Sequence, residues 1–134
     1  MTATEALARL REGNRRFVLG IQSGNVDLHQ QRSALVAGQN PFAVILGCAD
    51  SRVPAEIVFD QGLGDLFVIR VAGNIVAPSQ VGSVEFAVER FGCALVVVLG
   101  HSNCGAIDVA LEQLEQPSAP GSPNLWAITA WIRP

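Results

Sequence analysis

Three runs of apolar, largely β-branched residues, over 42–47, 66–71 and 94–99, are separated by stretches with helical spacing. A run that is apolar at nearly every position suits a strand buried on both faces, not one with a wet side. Such strands alternating with helices imply right-handed crossovers and a parallel sheet. The expectation is therefore an α/β fold with three strands in the order 2-1-3, helices on both faces and an N-terminal helical arm. A length of 134 residues suits one domain, 1–134.

Local signals place the helices. Thr2 with Glu5 three residues on reads as a capping box. It predicts a helix stopped by Gly13, with a short helical stretch following through Arg16 and Phe17. Its stripe of Leu7, Leu10 and Phe17 has no obvious place on a three-stranded sheet. The arm is therefore expected to pack on a neighbouring subunit, making a homodimer the smallest unit. A loop is expected over 20–27, and a helix over 28–37 with Gly38 at its C′ position. Further helices are expected over 54–59, from an Ser79 cap to Phe91, and over 105–115. A Pro-rich loop over 117–123 leads to a last helix capped by Asn124 and still in progress at Pro134.

Two short motifs carry the chemistry. Cys48-Ala49-Asp50-Ser51-Arg52 follows the first apolar run, and His101-Ser102-Asn103-Cys104 follows the third. In parallel sheets, ligands collect beyond the carboxyl ends of the strands. If strands one and three are neighbours, Cys48, Asp50, His101 and Cys104 converge. Two thiolates, one imidazole and one carboxylate form a tetrahedral zinc set, with Asp50 as the ligand that can leave. Zn²⁺ with both thiolates and the imidazole has no net charge. Asp50 and hydroxide then compete for the fourth position, with alkaline pH favouring hydroxide. Thiolate ligands acidify bound water less than imidazoles do, so a helper is needed. Arg52 supplies one by holding Asp50 off the metal in a bidentate pair. The alternative is that Asp50 and Arg52 form only a structural ion pair. Cys104 lies near a helix N-terminus, which favours its thiolate. Cys93 has no partners at ligand spacing and reads as packing.

The rest of the sequence narrows the class. Three cysteines argue against a disulfide framework and for reduced thiols, hence the cytoplasm. Thr2, Glu5, Arg9, Arg11 and Glu12 break up any apolar leader. No window approaches the roughly 18 apolar residues of a spanning helix, so no membrane partner is expected. A net charge of −3 without a basic stripe gives no footprint for nucleic acid. Gly62-x-Gly64 lacks the third glycine of a dinucleotide loop.

The stretches Gly47–Pro54 and Gly100–Gly105 resemble the two zinc motifs of β-class carbonic anhydrases. Phe67–Asn74 and Gly82–Val88 are similar to that family's cleft-lining strand and helix. The resemblance implies reversible hydration of CO₂ to bicarbonate and a proton, through zinc-bound hydroxide. It implies one Zn²⁺ per chain, held permanently by Cys48, His101 and Cys104, with Asp50 and Arg52 as the catalytic dyad. Gln39 is implied to bind substrate across a dimer interface. Phe67 and Ala72 are implied to form an apolar CO₂ pocket, and the Gly105 N–H to meet the bicarbonate oxygen. Self-association as a homodimer or higher oligomer is implied too. Ile45 stands where one subset has a tryptophan linked to a closed zinc, which favours the open form here. Two alternatives stay open. One is a silent zinc-binding homologue with Asp50 closed on the metal; the other is a related hydrolase of carbon disulfide or carbonyl sulfide. Family members continue well beyond the last residue here. The chain is thus expected to lack further strands and helices, leaving strand three a bare edge and the second motif weakly supported.

Overall fold

Every residue of β1 (Ala43–Gly47) is buried. The rest of the structure, a computed structural model that describes residues 1–22, 27–117 and 121–133, is arranged around that strand. β1 pairs in parallel with β2 (Leu66–Arg70) on one side and β3 (Val96–Leu99) on the other, so the order is the expected 2-1-3. Before the sheet come α1 (Ala3–Leu19) and α2 (Leu28–Ala34). α3 (Ala55–Val58) follows β1, and a 3₁₀ turn (Ala72–Asn74) and α4 (Pro78–Phe91) follow β2. α5 (Gly105–Glu115) and α6 (Pro123–Thr129) follow β3. Among the described residues, no helix is long and apolar enough to cross a membrane.

The two faces of β1 are covered by different helices, because successive side chains on a strand point to opposite sides. Ala43 and Ile45 pack with Ala6 and Leu10 of α1 and with Ala55 and Phe59 at α3. Val44 packs with Ile69, Ala87 and Cys93, under α4. α4 leaves part of its face of the sheet bare: on β3, Val96 is 40% and Val98 58% exposed. β3 is an outer strand of the described sheet.

α1 overturns two expectations. It runs unbroken through Gly13 to Leu19, its capping box intact, and stops at Gly20 (φ 68°). Gly13 is buried where a Cβ would lie 1.7 Å from the Phe59 carbonyl oxygen. The glycine permits close approach of two backbones and does not end the helix. α1 also has a place on the chain's own sheet, although Phe17 of its stripe stays exposed. Ala6 and Leu10 are buried in the chain's own core. Asn14 Nδ2 donates to the Val58 carbonyl at 3.0 Å, and Arg16 Nε to Asp60 Oδ2 at 2.5 Å.

Four further helices differ at their boundaries, α3 least, since Ala55–Val58 falls one residue inside the expected 54–59 at each end. α2 is capped by the Asp27 carboxylate, which accepts from the His29 and Gln30 N–H groups, and it ends at Ala34 before the expected 37. α4 begins with Pro78 after Ala77; the Ser79 hydroxyl turns to Gln80 Oε1 and caps nothing. Proline's fixed φ suits that first turn without a capping side chain. α6 starts after Ser122, not Asn124, and ends at Thr129. Thr129 is fully buried and donates to Gln113 Oε1 at 2.6 Å, which ties α6 to α5. Of the expected loops, 23–26 and 118–120 lie outside the described residues, as does Pro134.

Candidate metal centre

Gly47 lies opposite Leu99 in the β1–β3 register. Cys48 and Gly100 therefore leave the sheet side by side, and the two motifs begin at the same end of neighbouring strands. Asn103 adopts a left-handed φ of 54°, which turns the second motif between His101 and Cys104. The side-chain ligand atoms of Cys48, His101 and Cys104 all lie within 4.8 Å of one another. The two sulfurs are 3.9 Å apart and both cysteines are buried.

His101 is prepared as an acceptor. Its Nδ1–H donates to the Ser102 carbonyl at 2.9 Å, which puts the lone pair on Nε2. Nε2 is buried and has no hydrogen-bond partner among the described residues. A buried, unpaired nitrogen facing two thiols is costly unless something satisfies it. A thiophilic cation does so, and two thiolates with one imidazole are a donor set that zinc takes. The residues present fit the metal.

The electrostatics agree. Burial pushes the Cys48 thiol up, but His101, the Asp50 and Gly73 N–H groups and Cys104 outweigh it and bring its pKa down to about 7. Gly73 N–H lies 3.3 Å from Cys48 Sγ; its left-handed φ of 71° belongs to glycine, and a Cβ there would also meet Ile132 at 2.7 Å. The Cys48 sulfur, and after it the Ser102 carbonyl, raise the pKa of His101.

Asp50 stands beside the three ligands, in the grip of Arg52. Arg52 donates from Nε to Oδ1 at 2.8 Å, from Nη2 to Oδ2 at 2.6 Å and from its backbone N–H to Oδ1 at 2.9 Å. These bonds hold the Asp50 carboxyl well below the usual carboxylate range. Arg52 Nη2 also donates to the Asn103 carbonyl at 2.9 Å, joining the two motifs. Asp50 Oδ2 is 3.9 Å from His101 Nε2, so the carboxylate reaches the edge of the cluster without leaving Arg52.

The other expected residues divide by position. Gly105 opens α5, where its N–H is one of the amides without an intrahelical acceptor. Ala72 begins the 3₁₀ turn that carries Gly73. The Phe67 ring packs against Phe86 and Phe91, at centroid distances of 6.0 and 5.8 Å, in the layer beneath α4. Gln39 is exposed just before β1, at the opposite end of the sheet from the ligands. Cys93 packs as expected: its thiol, raised by burial, donates to the Pro41 carbonyl at 3.2 Å. Gly73 and Arg70 are two residues that sequence reasoning missed. Arg70 Nε donates to the Cys48 carbonyl at 2.8 Å and Nη2 to the Asp50 carbonyl at 2.5 Å. The signal for Arg70 was a lone charge at the end of an apolar strand.

A cavity of about 300 Å³ opens beside His101 and Cys104, with Ile75, Val76, Ile107 and Trp131 among its walls. A larger one of about 740 Å³ lies among α1, α2 and the α3–β2 loop. It contains none of the cluster, and Arg9 and Arg16 on its wall are already paired with Asp65 and Asp60.

The carbonic anhydrase family model matches residues 43–134. Carbonic anhydrase 2 of Mycobacterium tuberculosis is 51% identical over 112 residues, covering 84% of this chain and 54% of the relative. The β-carbonic anhydrase of Coccomyxa, solved with acetazolamide, superposes with a TM-score of 0.64 at 31% identity, covering 90% of this chain and 53% of that one. A β-carbonic anhydrase from Sordaria macrospora, described as tetrameric, gives 0.62 at 31% identity over 76% of this chain and 52% of that one. The chain thus spans about half the length of the curated relatives it matches. The parallel 2-1-3 sheet, the Cys–His–Cys cluster at its carboxyl end and these matches agree: the chain belongs to the β class of the carbonic anhydrase family.

Proposed function

We propose that this chain carries the active centre of a zinc-dependent carbonic anhydrase, which converts CO₂ and water reversibly to bicarbonate and a proton. Cys48, His101 and Cys104 would hold the zinc. When bound, it supplies a Lewis acid that makes water nucleophilic near neutral pH. Asp50 is an ionised acceptor aimed at the cluster by Arg52. It takes a hydrogen bond from a water beside His101 and turns that water's lone pair toward CO₂. The Gly105 N–H is free to donate to an oxygen of the bicarbonate formed. Phe67 and Ala72 act from the strand and turn behind the site, where apolar surface suits an uncharged gas.

The observation that carries this reading is the position of Asp50: doubly bound to Arg52 while its Oδ2 is 3.9 Å from His101 Nε2. That arrangement supports the open form over a carboxylate closed on the metal. Gln39 lies at the far end of β1, so in this reading it serves the centre of a second copy. The tetrameric relative supports self-association, and three free thiols suit a reducing cytoplasm.

The test is CO₂ hydration by stopped flow in neutral and in mildly alkaline buffer, with zinc content measured alongside. The chain is expected to turn over, faster in alkali. Asp50→Asn should keep its zinc and lose about 10²-fold or more in kcat/KM. A zinc-replete chain silent in both buffers, or an Asp50→Asn variant as fast as its parent, would contradict the reading.

A further inference from the structure

Arg70 ends β2 opposite Gly47, the residue that precedes the ligand Cys48. Its guanidinium donates into backbone twice, to the carbonyls of Cys48 and Asp50. Those carbonyls bracket Ala49, the one residue between a cluster cysteine and the dyad carboxylate. Ala49 N–H is itself bound to the Val71 carbonyl at 3.2 Å, and Val71 N–H returns a bond to Gly47. The segment is therefore tied to the end of β2 through Ala49 and through both carbonyls around it.

Two carbonyls held by one rigid plane cannot turn independently. The Cys48 sulfur and the Asp50 carboxylate hang from the residues so held, so the backbone that carries both is set as one unit. Asp50 is then held by two arginines, Arg70 at its carbonyl and Arg52 at its carboxylate. Only a planar fork with several donors does this; a lysine at residue 70 would be a point donor able to satisfy one carbonyl well.

We infer that Arg70 is a positioning residue, which sets Cys48 and Asp50 relative to each other for metal binding and for the dyad. The inference rests on the zinc reading above. Partners that orient ligands typically change metal affinity 10- to 100-fold when removed.

The test uses Arg70→Ala and Arg70→Lys in the whole chain. Three quantities are measured: zinc affinity by competition with a chromophoric chelator, the visible spectrum of the cobalt(II)-substituted protein, and the melting temperature of the metal-free protein. Arg70→Ala is expected to bind zinc about 10- to 100-fold more weakly and to alter the cobalt spectrum. Added guanidinium ion should recover part of the affinity, and Arg70→Lys should fall between parent and alanine. Arg70→Ala with the parent's affinity and spectrum overturns the inference, even if it melts earlier, since the role is then merely structural. If the alanine variant does not fold, Arg70→Lys decides: weakened zinc supports the inference, and unchanged zinc with an unchanged spectrum overturns it. A parent chain that takes up neither metal defeats the zinc reading and this inference with it, a result distinct from failure of the Arg70 variants alone.

Discussion

Cys48 is pulled two ways, up by burial and down by His101, neighbouring N–H groups and Cys104, and the downward pull wins, to about 7. An acid whose folded pKa is depressed contributes stability that is present above its unfolded value and lost as pH falls through the folded one. For metal-free Cys48, that loss runs from the ordinary thiol range down through about 7. His101 works in the opposite sense. Its pKa is raised, so its contribution is complete below 6.5 and fades as pH climbs through the raised value. The expected outcome for metal-free protein is a rise in thiolate ultraviolet absorption centred near 7 that Cys48→Ser removes. Cys93, raised by burial, should titrate later. Absorption that waits for the ordinary thiol range would refute this picture of the site. That Cys48, His101 and Cys104 meet beside the Asp50–Arg52 pair was legible because the chemistry and short spacing are written in the two motifs. Arg70 and Gly73 were not. Arg70 acts through strand register and Gly73 through a backbone N–H; a lone charge closing an apolar strand was the one mark Arg70 left.

Gly13 shows the corresponding limit for elements. A glycine inside a helical pattern reads equally as a stop or as a point of close approach, and only the Phe59 carbonyl behind it decides. The two readings differ in sign. In an ordinary exposed helix interior, Gly→Ala would stabilise by up to about 1 kcal/mol. Against a backbone oxygen 1.7 Å from the new Cβ, Gly13→Ala should instead destabilise, by at least the roughly 1–3 kcal/mol of an overpacked core. Urea denaturation of the metal-free protein measures it; a gain in midpoint would contradict the packing of α1 on α3. α5, at Gly105–Glu115, was legible to the residue because the motif and Gly105 mark its start. α4 and α6 were misplaced at their first turns, where proline's preset φ took over from the expected Ser79 and Asn124 caps.

For the molecule as a whole, sheet order and direction were legible because three apolar runs with helical connections leave few right-handed solutions. The place of α1 was not. α1 proved able to bury Ala6 and Leu10 within its own chain, whereas β3 keeps Val96 and Val98 bare. Unpaired apolar edges associate, and a lysine on them is a known remedy. Val98→Lys should therefore lower light scattering at micromolar concentration without changing zinc content; scattering that stays the same would place the association elsewhere. The account as a whole rests on a metal gripped by two sulfurs and one ring nitrogen. Zinc X-ray absorption of the purified chain tests that grip most directly. It should give two sulfurs at about 2.3 Å and one imidazole nitrogen at about 2.0–2.1 Å. A zinc shell without sulfur, or a chain that purifies and reconstitutes without zinc, would contradict it.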